Sequence, residues 1–399
     1  MQLVEQHVID RNHPYFAEID RAAFASKNLF NAVNYAVRQS FIFQNVWLRY
    51  NDLAGQFKSH EAFKALPAKV AQWTIKMLDK SWKSFFAAIK EWSVAPGKFT
   101  GRPALPKYKD KADGRSLLVY TEQAISSKLL KAGIIKLSGL SFHLKTKVKQ
   151  VDQVRIVPRK GFYCVEVIYS VEPKPTTGDS SLVAGIDLGV NNLAVIASNK
   201  RGFTPLVVKG GPIKSINQFY NKRKADLQRY LPGKRETSPQ IIALSNKRTR
   251  RINHFLHIAS RRIVAHLVAQ GIGTLVIGKN DGWKQETNKG KVNNQNFVTI
   301  PHARFIEMLT YKCELVGIKV ITHNESHTSK CSFLDNEPIC HQERYAGKRV
   351  KRGLFRSASG KLINADLNGA LNIIRKAIPD AFSEGIEGVV VHPSPFGCK

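Results

Sequence analysis

One aspartate constrains what this chain can fold into more than any other residue. In Ala184-Gly-Ile-Asp-Leu-Gly-Val-Asn-Asn-Leu-Ala194 an acid stands inside an apolar, strand-forming run. An anion buried in such a run is costly unless it meets a cation or hydrogen-bond donors. Asp187 therefore calls for a partner, and the strand that carries it is expected to end at a site. The flanking Gly185 and Gly189 lack a Cβ, and the space this leaves is assigned to a substrate backbone or a metal beside the carboxylate. A strand-end aspartate in a turn is the alternative.

Around that strand the sequence reads as an α/β layer. Leu182 to Ile186, Leu193 to Ala197 and Leu206 to Val208 are β-rich, followed by a basic helical region. Pro239 to Gln270 reads as a long helix stopped by Gly271-Ile-Gly273, then Thr274 to Ile277 as a strand. Arg304 to Val316 is helical, Gly317 to Thr322 a strand and Asn364 to Ala377 a last helix. The segment Glu172-Pro-Lys-Pro-Thr-Thr-Gly-Asp-Ser180 is a linker by composition, which sets a boundary near residue 180. Before it, Phe30, Val33, Val37 and Phe41, then Leu78, Trp82, Phe85 and Ile89, recur at helical spacing. Leu117 to Val171 breaks into short β-prone runs, with Tyr163, Val165, Val167, Tyr169 and Val171 alternating onto one face, and predicts a small antiparallel barrel or sheet. The tail from Pro379, with three Gly and three Pro, is expected to be disordered.

Charge narrows the partners. The 399 residues hold 62 Lys plus Arg against 30 Asp plus Glu, a formal +32, while 43% apolar residues argue against wholesale disorder. Lys and Arg displace condensed counterions from nucleic acid, so a polyphosphate partner is expected. A ribosomal or merely solvated basic protein is the alternative. From 200 to 262, 16 basic residues face only Asp226 and Glu236, a local +14. No stretch approaches the roughly 20 apolar residues of a membrane span. The start has neither a basic n-region nor an apolar h-region. Five scattered cysteines suit a reducing compartment. A cytoplasmic protein without a membrane partner is expected.

A second acid lies in Ile363-Asn-Ala-Asp-Leu-Asn-Gly-Ala-Leu-Asn-Ile373. Asp366 falls in the first turn of a helix, where capping and the helix dipole also account for an acid. Taken in order, the two motifs resemble the RuvC-like nuclease domain of TnpB proteins, the insertion-sequence-encoded, RNA-guided DNA endonucleases related to type V CRISPR effectors. Gly101-Arg-Pro-Ala-Leu-Pro-Lys-Tyr-Lys109, Arg250-Arg-Ile-Asn-His-Phe-Leu-His-Ile-Ala-Ser260 and His327-Thr-Ser-Lys-Cys-Ser332 fall where that family would have them. The resemblance implies an α+β multidomain chain. A wedge-type β-barrel would occupy 1–11 and 96–180, a helical recognition domain 12–95, and a RuvC/ribonuclease-H-like domain 181–378 with a degenerate zinc-ribbon-like insertion at 327–363. It further implies a guide RNA from the element's end, a double-stranded DNA target with a short adjacent motif, Mg²⁺ or Mn²⁺, and a monomer or homodimer in the prokaryotic cytoplasm or nucleoid. Lys222, Arg223, Lys224, Lys247, Arg248, Arg250 and Arg251 become candidates for contact with a nucleic-acid backbone. Lys107, Tyr108 and Lys109 become candidates near the wedge and the target-adjacent motif, and Trp283 either stacks on a base or packs beneath its loop.

Two departures from the family pattern matter. The strand that usually ends in a second catalytic acid reads Thr274-Leu-Val-Ile-Gly-Lys-Asn-Asp281, with Gly278 in the acid's place. Three acids ordinarily hold two divalent ions ~3.5 to 4 Å apart for in-line attack on phosphate. Of the acids that follow, Glu307 and Glu314 lie on a helix, while Asp281 and Glu286 lie in a polar loop. Glu325 follows the next strand, which the resemblance sets beside the one ending at Gly278, and strands are ~4.8 Å apart. The expected catalytic and Mg²⁺-binding set is Asp187, Glu325 and Asp366, with Asp281 in reserve. The second departure is zinc: Cys331 stands without its usual neighbour, and only His327, Cys331, Cys340 and His341, at unorthodox spacing, form a Cys₂His₂ option. No zinc is expected, and the lobe is expected to be held by packing. The leading function is thus an RNA-guided, metal-dependent DNA endonuclease of a mobile element. The alternatives are an RNA-guided DNA-binding protein that no longer cuts, and an unguided DNA transposase.

Overall fold

Trp82 sits at the centre of the first unit, Met1–Val171, in a computed structural model that describes residues 1–175, 178–233, 235–280, 299–383, 385–386 and 390–396. The indole is fully buried and donates from Nε1 to Asn34 Oδ1 at 3.1 Å. This ties α4 (Ala68–Val94) to α1 (Phe16–Gln44), with α2 (Tyr50–Phe57) and α3 (Glu61–Lys64) between them. The helical spacing of Val70, Ala71, Ile75, Leu78 and Trp82 turns one stripe of α4 inward.

The same core holds a sheet built from β1 (Gln2–Asp10), β2 (Leu118–Thr121), β5 (Gln153–Arg159) and β6 (Phe162–Ser170), in the order β1-β6-β5-β2. Between β2 and β5 lie α5 (Ser127–Lys131) and the separate hairpin of β3 (Ile134–Lys136) and β4 (His143–Lys145). Where a barrel or a sheet was expected, the described residues form an open antiparallel sheet with β1 and β2 at its edges. Ile9, Ile19, Trp82, Leu118 and Val165 belong to one apolar cluster, so positions 12 and 95 mark a change of element type and no break in the core.

The second unit runs from Glu172 to Lys399. The residues after 171 already belong to it, since Lys174 N donates to Leu315 O at 3.2 Å. Its strands are β7 (Asp179–Leu188), β8 (Asn192–Ser198), β9 (Leu206–Lys209), β10 (Ile272–Gly278), β11 (Lys319–His323), β12 (Lys348–Lys351), β13 (Leu354–Arg356), β14 (Leu362–Asn364) and β15 (Ser394–Phe396). Its helices are α6 (Gly211–Arg229), α7 (Pro239–Ala269), α8 (His302–Leu315) and α9 (Ala365–Ala377). Six strands form one mixed sheet in the order β11-β10-β7-β8-β9-β15, and β12-β13-β14 form a small antiparallel sheet. The tail expected to be disordered contributes β15, which pairs in parallel with β9 through Ser394 opposite Leu206. Among the described residues no helix is long and apolar enough to cross a membrane.

Period-2 alternation sorts the large sheet into two faces. Ala184, Ile186 and Leu188 of β7 pack with α7 and α8, through Leu256, Ile263 and Phe305. Val183 of β7 joins Val195, Val207 and Val276 against α9 and the buried Phe333 and Phe355. Asp187 has the parity of Val183 and so belongs to the α9 face.

Candidate functional site

The approach of α9 to β7 brings two acids together. A Cβ built on Gly185 would lie 2.5 Å from Ile374 Cγ1 and 2.6 Å from the backbone O of Ala370, and one on Gly369 would lie 2.8 Å from Asp187 Oδ2. Glycine at both positions lets helix and strand meet at near backbone contact. The room beside Asp187 that the sequence assigned to substrate or metal is thus filled by α9. Gly189 serves the turn after β7, where a Cβ would lie 2.7 Å from Asn192 O.

Asp366 enters from the first turn of α9. Asn364 caps that helix, its Oδ1 accepting from the backbone N of Asp366 and of Leu367 at 3.1 Å each. The Asp366 carboxylate accepts from Asn192 Nδ2 at 2.7 Å and faces Arg349 of β12 at 3.8 Å.

Glu325 reaches the same cleft from the far side of β10. That strand pairs in parallel with β7 through Ile277 and Ile186, and with β11 through Gly278 and His323. Two residues beyond β11, Glu325 turns back over the end of β10, where its Oε2 lies 2.7 Å from the point a Gly278 Cβ would occupy. Asn280 holds it by a pair of contacts, donating to Oε1 at 3.3 Å and accepting from the Glu325 backbone N at 3.2 Å. The loop behind Glu325 is latched to α9 by two buried asparagines. Asn372 Nδ2 donates to Thr328 O and Cys331 O at 2.9 and 2.8 Å, and Asn368 exchanges hydrogen bonds with Cys331 O and Phe333 N.

Asp187, Glu325 and Asp366 all line a cleft of about 1050 Å³, together with Lys209, Arg349 and Arg352. Burial pushes the Asp187 carboxyl well above its ordinary range, the negative charges of Asp366 and Glu325 add to the shift, and Arg349 opposes it. Asp187 thus stands buried in the negative field of the other two carboxylates. Among the described residues, no three acidic, His or Cys groups close round a single point as a finished cage.

Asn192 and Asn280 were not among the residues expected from sequence, whereas Arg349 belongs to a basic run, Lys348 to Gly353, that reads as either a phosphate contact or a solvated loop. Asn192 begins β8 and Asn280 follows the end of β10; a single polar residue at a strand end has no periodic signal, and only its distance in space from the acids identifies it. The reserve acid Asp281, with Glu286 and Trp283, lies outside the described residues. Glu307 and Glu314 are on α8 and do not line the cleft. In the 327–363 lobe, Cys331 is buried with its Sγ 3.6 Å from Cys340 O, while Cys340 is exposed. Glu337 accepts there from the backbone N of Ser332 at 2.6 Å and of Ala346 at 2.8 Å.

The basic candidates separate by environment. Lys222 and Arg223 on α6, and Lys247, Arg250 and Arg251 on α7, are exposed, while Lys224 is half-buried. Arg248 differs from the expectation for a phosphate contact. Its Nε donates to Asn217 Oδ1 at 2.6 Å, a second nitrogen reaches Thr299 O at 3.4 Å, and the guanidinium lies 4.9 Å from the Tyr220 ring centroid. The hydrogen bond to Asn217 clamps α7 to α6, and burial lowers the proton affinity of the guanidinium. In the first unit Lys107 and Tyr108 are exposed, with Arg38 over the Tyr108 ring at 5.1 Å. Lys109 exchanges hydrogen bonds with Asn31 at 2.9 Å and lines a cleft of about 380 Å³ with Arg115, Arg155 and Arg159.

Comparison with known proteins covers both units. A family described as probable transposase, OrfB_IS605, matches residues 165–284, and the Cas12f1-like TNB domain matches 302–373. The TnpB-like protein ORF457 of Acidianus two-tailed virus is 26% identical over 90% of this chain and 83% of its own length. The CRISPR-associated endodeoxyribonuclease Cas12f1 of Sulfoacidibacillus thermotolerans is 26% identical over 60% of this chain, and the match spans 56% of that protein. Among solved structures, the Cas12f1-sgRNA-target DNA complex superposes with a TM-score of 0.54 at 15% identity, over 89% of this chain and 82% of that one. At that identity the likeness is one of fold.

Proposed function

We propose that this chain, a TnpB-family protein related to the Cas12 effectors, is an RNA-guided, divalent-metal-dependent DNA endonuclease whose second acid has moved from strand β10 to Glu325. One observation carries the reading: the Glu325 carboxylate lies 2.7 Å from where a side chain at Gly278 would begin. The acid is missing from its usual strand, and another fills the place from the neighbouring one.

The donor set fits a hard divalent cation. Three carboxylates offer oxygen ligands only, and the negative field that Asp366 and Glu325 impose on Asp187 favours a state in which positive charge lies between them. When bound, two such ions would supply an activated water and would stabilise the leaving oxygen of an in-line displacement. The chain supplies the rest. Asp187 is fixed in depth by Gly369 behind it, Asp366 is oriented by Asn192, and Glu325 is oriented by Asn280. Arg349, 3.8 Å from Asp366, brings positive charge to the mouth of the cleft. Exposed Lys222, Arg223, Lys247, Arg250 and Arg251 serve the phosphates of bound nucleic acid, with Lys247, Arg250 and Arg251 on α7 facing the guide–target duplex, whose sequence is read by base pairing. Lys107, Tyr108 and Lys109 serve the motif beside the target.

A second reading, a guided binder that no longer cuts, is favoured by Gly278 itself. Cleavage of a matched DNA by protein co-expressed with its flanking element RNA separates the two, with binding followed in parallel. Mg²⁺-dependent cutting by wild type, and binding without cutting by Asp187→Ala and Glu325→Ala, support the relocated acid. A wild type that binds guide and target and never cuts overturns it. Cutting without any RNA would point instead to an unguided transposase.

A further inference from the structure

Resting on the reading that a DNA strand is cut in this cleft, we infer that the exposed face of α6 is a track for that strand as it leaves the site, with Phe219 and Tyr230 as base-stacking platforms. Helix α6 buries Ile213 and Asn217 on one side. On the other, Phe219 is 59% exposed, and Tyr230, at the helix end, is 85% exposed. Eleven residues at ~100° each bring Tyr230 within about 20° of the face of Phe219, some 16 Å further along. Lys222 and Arg223, both exposed, fall between them on that face, three and four residues after Phe219. The stripe therefore reads aromatic, cation, cation, aromatic. Asp226, half-buried, is its one acid.

Duplex bases keep their π-faces inside the stack, so exposed rings interleaved with cations suit unpaired bases on a charged backbone. The position of the stripe selects which strand. Lys209, Asn191 and Asn192 line the cleft, and α6 starts against them. Gly210 N donates to Asn191 O at 2.7 Å, and Lys214 Nζ donates to Asn191 Oδ1 at 2.9 Å. From Gly211 the helix rises ~12 Å to Phe219, a distance a few nucleotides cover. A strand lying across the acids at that end of the cleft would reach the first turn of α6, from which the exposed stripe continues.

The test uses the full chain in EDTA, where nothing is cut, with a single-stranded oligo-dT carrying 2-aminopurine as the probe. Phe219→Ala and Tyr230→Ala are each expected to weaken binding about tenfold and to reverse the quenching of 2-aminopurine fluorescence, with blunt duplex binding unchanged. Phe219→Leu, which keeps an apolar side chain of similar bulk, is expected to lose the quenching as fully as Phe219→Ala. The inference is overturned if the double alanine variant binds and quenches as wild type does. It is equally overturned if single strand and duplex weaken in parallel, if only oligo-U RNA binding falls, or if the variants alter only self-association in sedimentation. Guided cleavage is assayed separately, so a chain that stacks single strands and never cuts would fail the proposed function and leave the single-strand platform standing.

Discussion

Glu325 and Gly278 meet at one corner of the cleft: the glutamate's Oε2 lies 2.7 Å from the point where a Cβ on the glycine would stand. Their strands are neighbours, with Gly278 paired to His323 two residues before the glutamate. An acid delivered from either strand end would reach the same corner of the cleft, but two at once would collide and repel.

That relationship yields an acid-swap prediction. Glu325→Gly removes the carboxylate and is expected to lower Mg²⁺-dependent cleavage at least a hundredfold while guided DNA binding persists. Gly278→Glu alone is expected to impair cleavage too, because its Cβ meets both the Glu325 carboxylate and Ile373 Cδ1, the latter at 2.5 Å. The double variant Gly278→Glu/Glu325→Gly is expected to recover a substantial part of the activity. Single-turnover cleavage of a matched target checks all three, and a double variant no better than Glu325→Gly alone rejects the shared position.

The glycines where helix meets strand separate stability from activity. Gly369→Ala gains about 1 kcal/mol of helix propensity, yet its Cβ would lie 2.8 Å from Asp187 Oδ2, the far end of a side chain that can turn away. The expectation is an unchanged or slightly raised Tm with cleavage reduced tenfold or more. Gly185→Ala meets the backbone O of Ala370 at 2.6 Å, which cannot turn away, and overpacking of this kind costs roughly 1 to 3 kcal/mol. Its Tm is expected to fall. Thermal melts alongside cleavage rates distinguish the two outcomes.

Asp187 was legible in the sequence because it is an acid in an apolar strand, whereas Asp366 stands in the first turn of a helix, where an acid is ordinary, and only the order of the two motifs and the resemblance they carry singled it out. Asn368 and Asn372 stand in the same motif, but their part as a latch on the Glu325 loop depends on carbonyls some 40 residues away in sequence. Gly185 and Gly189 were read as open space, because a missing Cβ records close approach without saying what approaches. Strand β15 was not visible: Ser394-Pro-Phe396 is too short to alternate, and its pairing with β9 is set by tertiary context. In the first unit the sequence left barrel and open sheet as alternatives, since alternation fixes which face is buried and leaves closure undetermined.

Lys312 on α8 gives a pH-dependent prediction. It donates to Ser260 Oγ at 2.7 Å and to His257 O at 2.9 Å, and burial, aided by Arg261, lowers its pKa from 10.5 to about 8. Between those values the unfolded chain holds a proton that the folded chain has released, so this group's contribution to stability rises with pH from about 8 to 10.5 and is lost as pH falls through 8. Urea midpoints at pH 7 and pH 9.5 are expected to rise more for wild type than for Lys312→Met, the comparison cancelling the general relief of positive charge at high pH. Equal slopes would place the lysine in ordinary solvent.

The basic residues of α6 and α7 are expected to divide by role when substituted. Arg248→Ala removes a half-buried guanidinium and leaves Asn217 Oδ1 without its 2.6 Å donor. Losing one partner of a buried hydrogen bond costs about 1 to 3 kcal/mol, so a lower Tm is expected, with the salt dependence of nucleic-acid binding nearly unchanged. Lys222→Ala and Arg251→Ala remove exposed charge from the same two helices. Each is expected to leave the Tm in place and to reduce the slope of log K against log salt by about 0.7 to 0.9, as follows when one phosphate fewer is neutralised. Binding titrations between about 50 and 200 mM salt, where such slopes are readily measured, decide the matter. If Arg248→Ala lowers the slope as far as Lys222→Ala does while the Tm holds, the clamp assigned to Arg248 is wrong and its guanidinium faces phosphate.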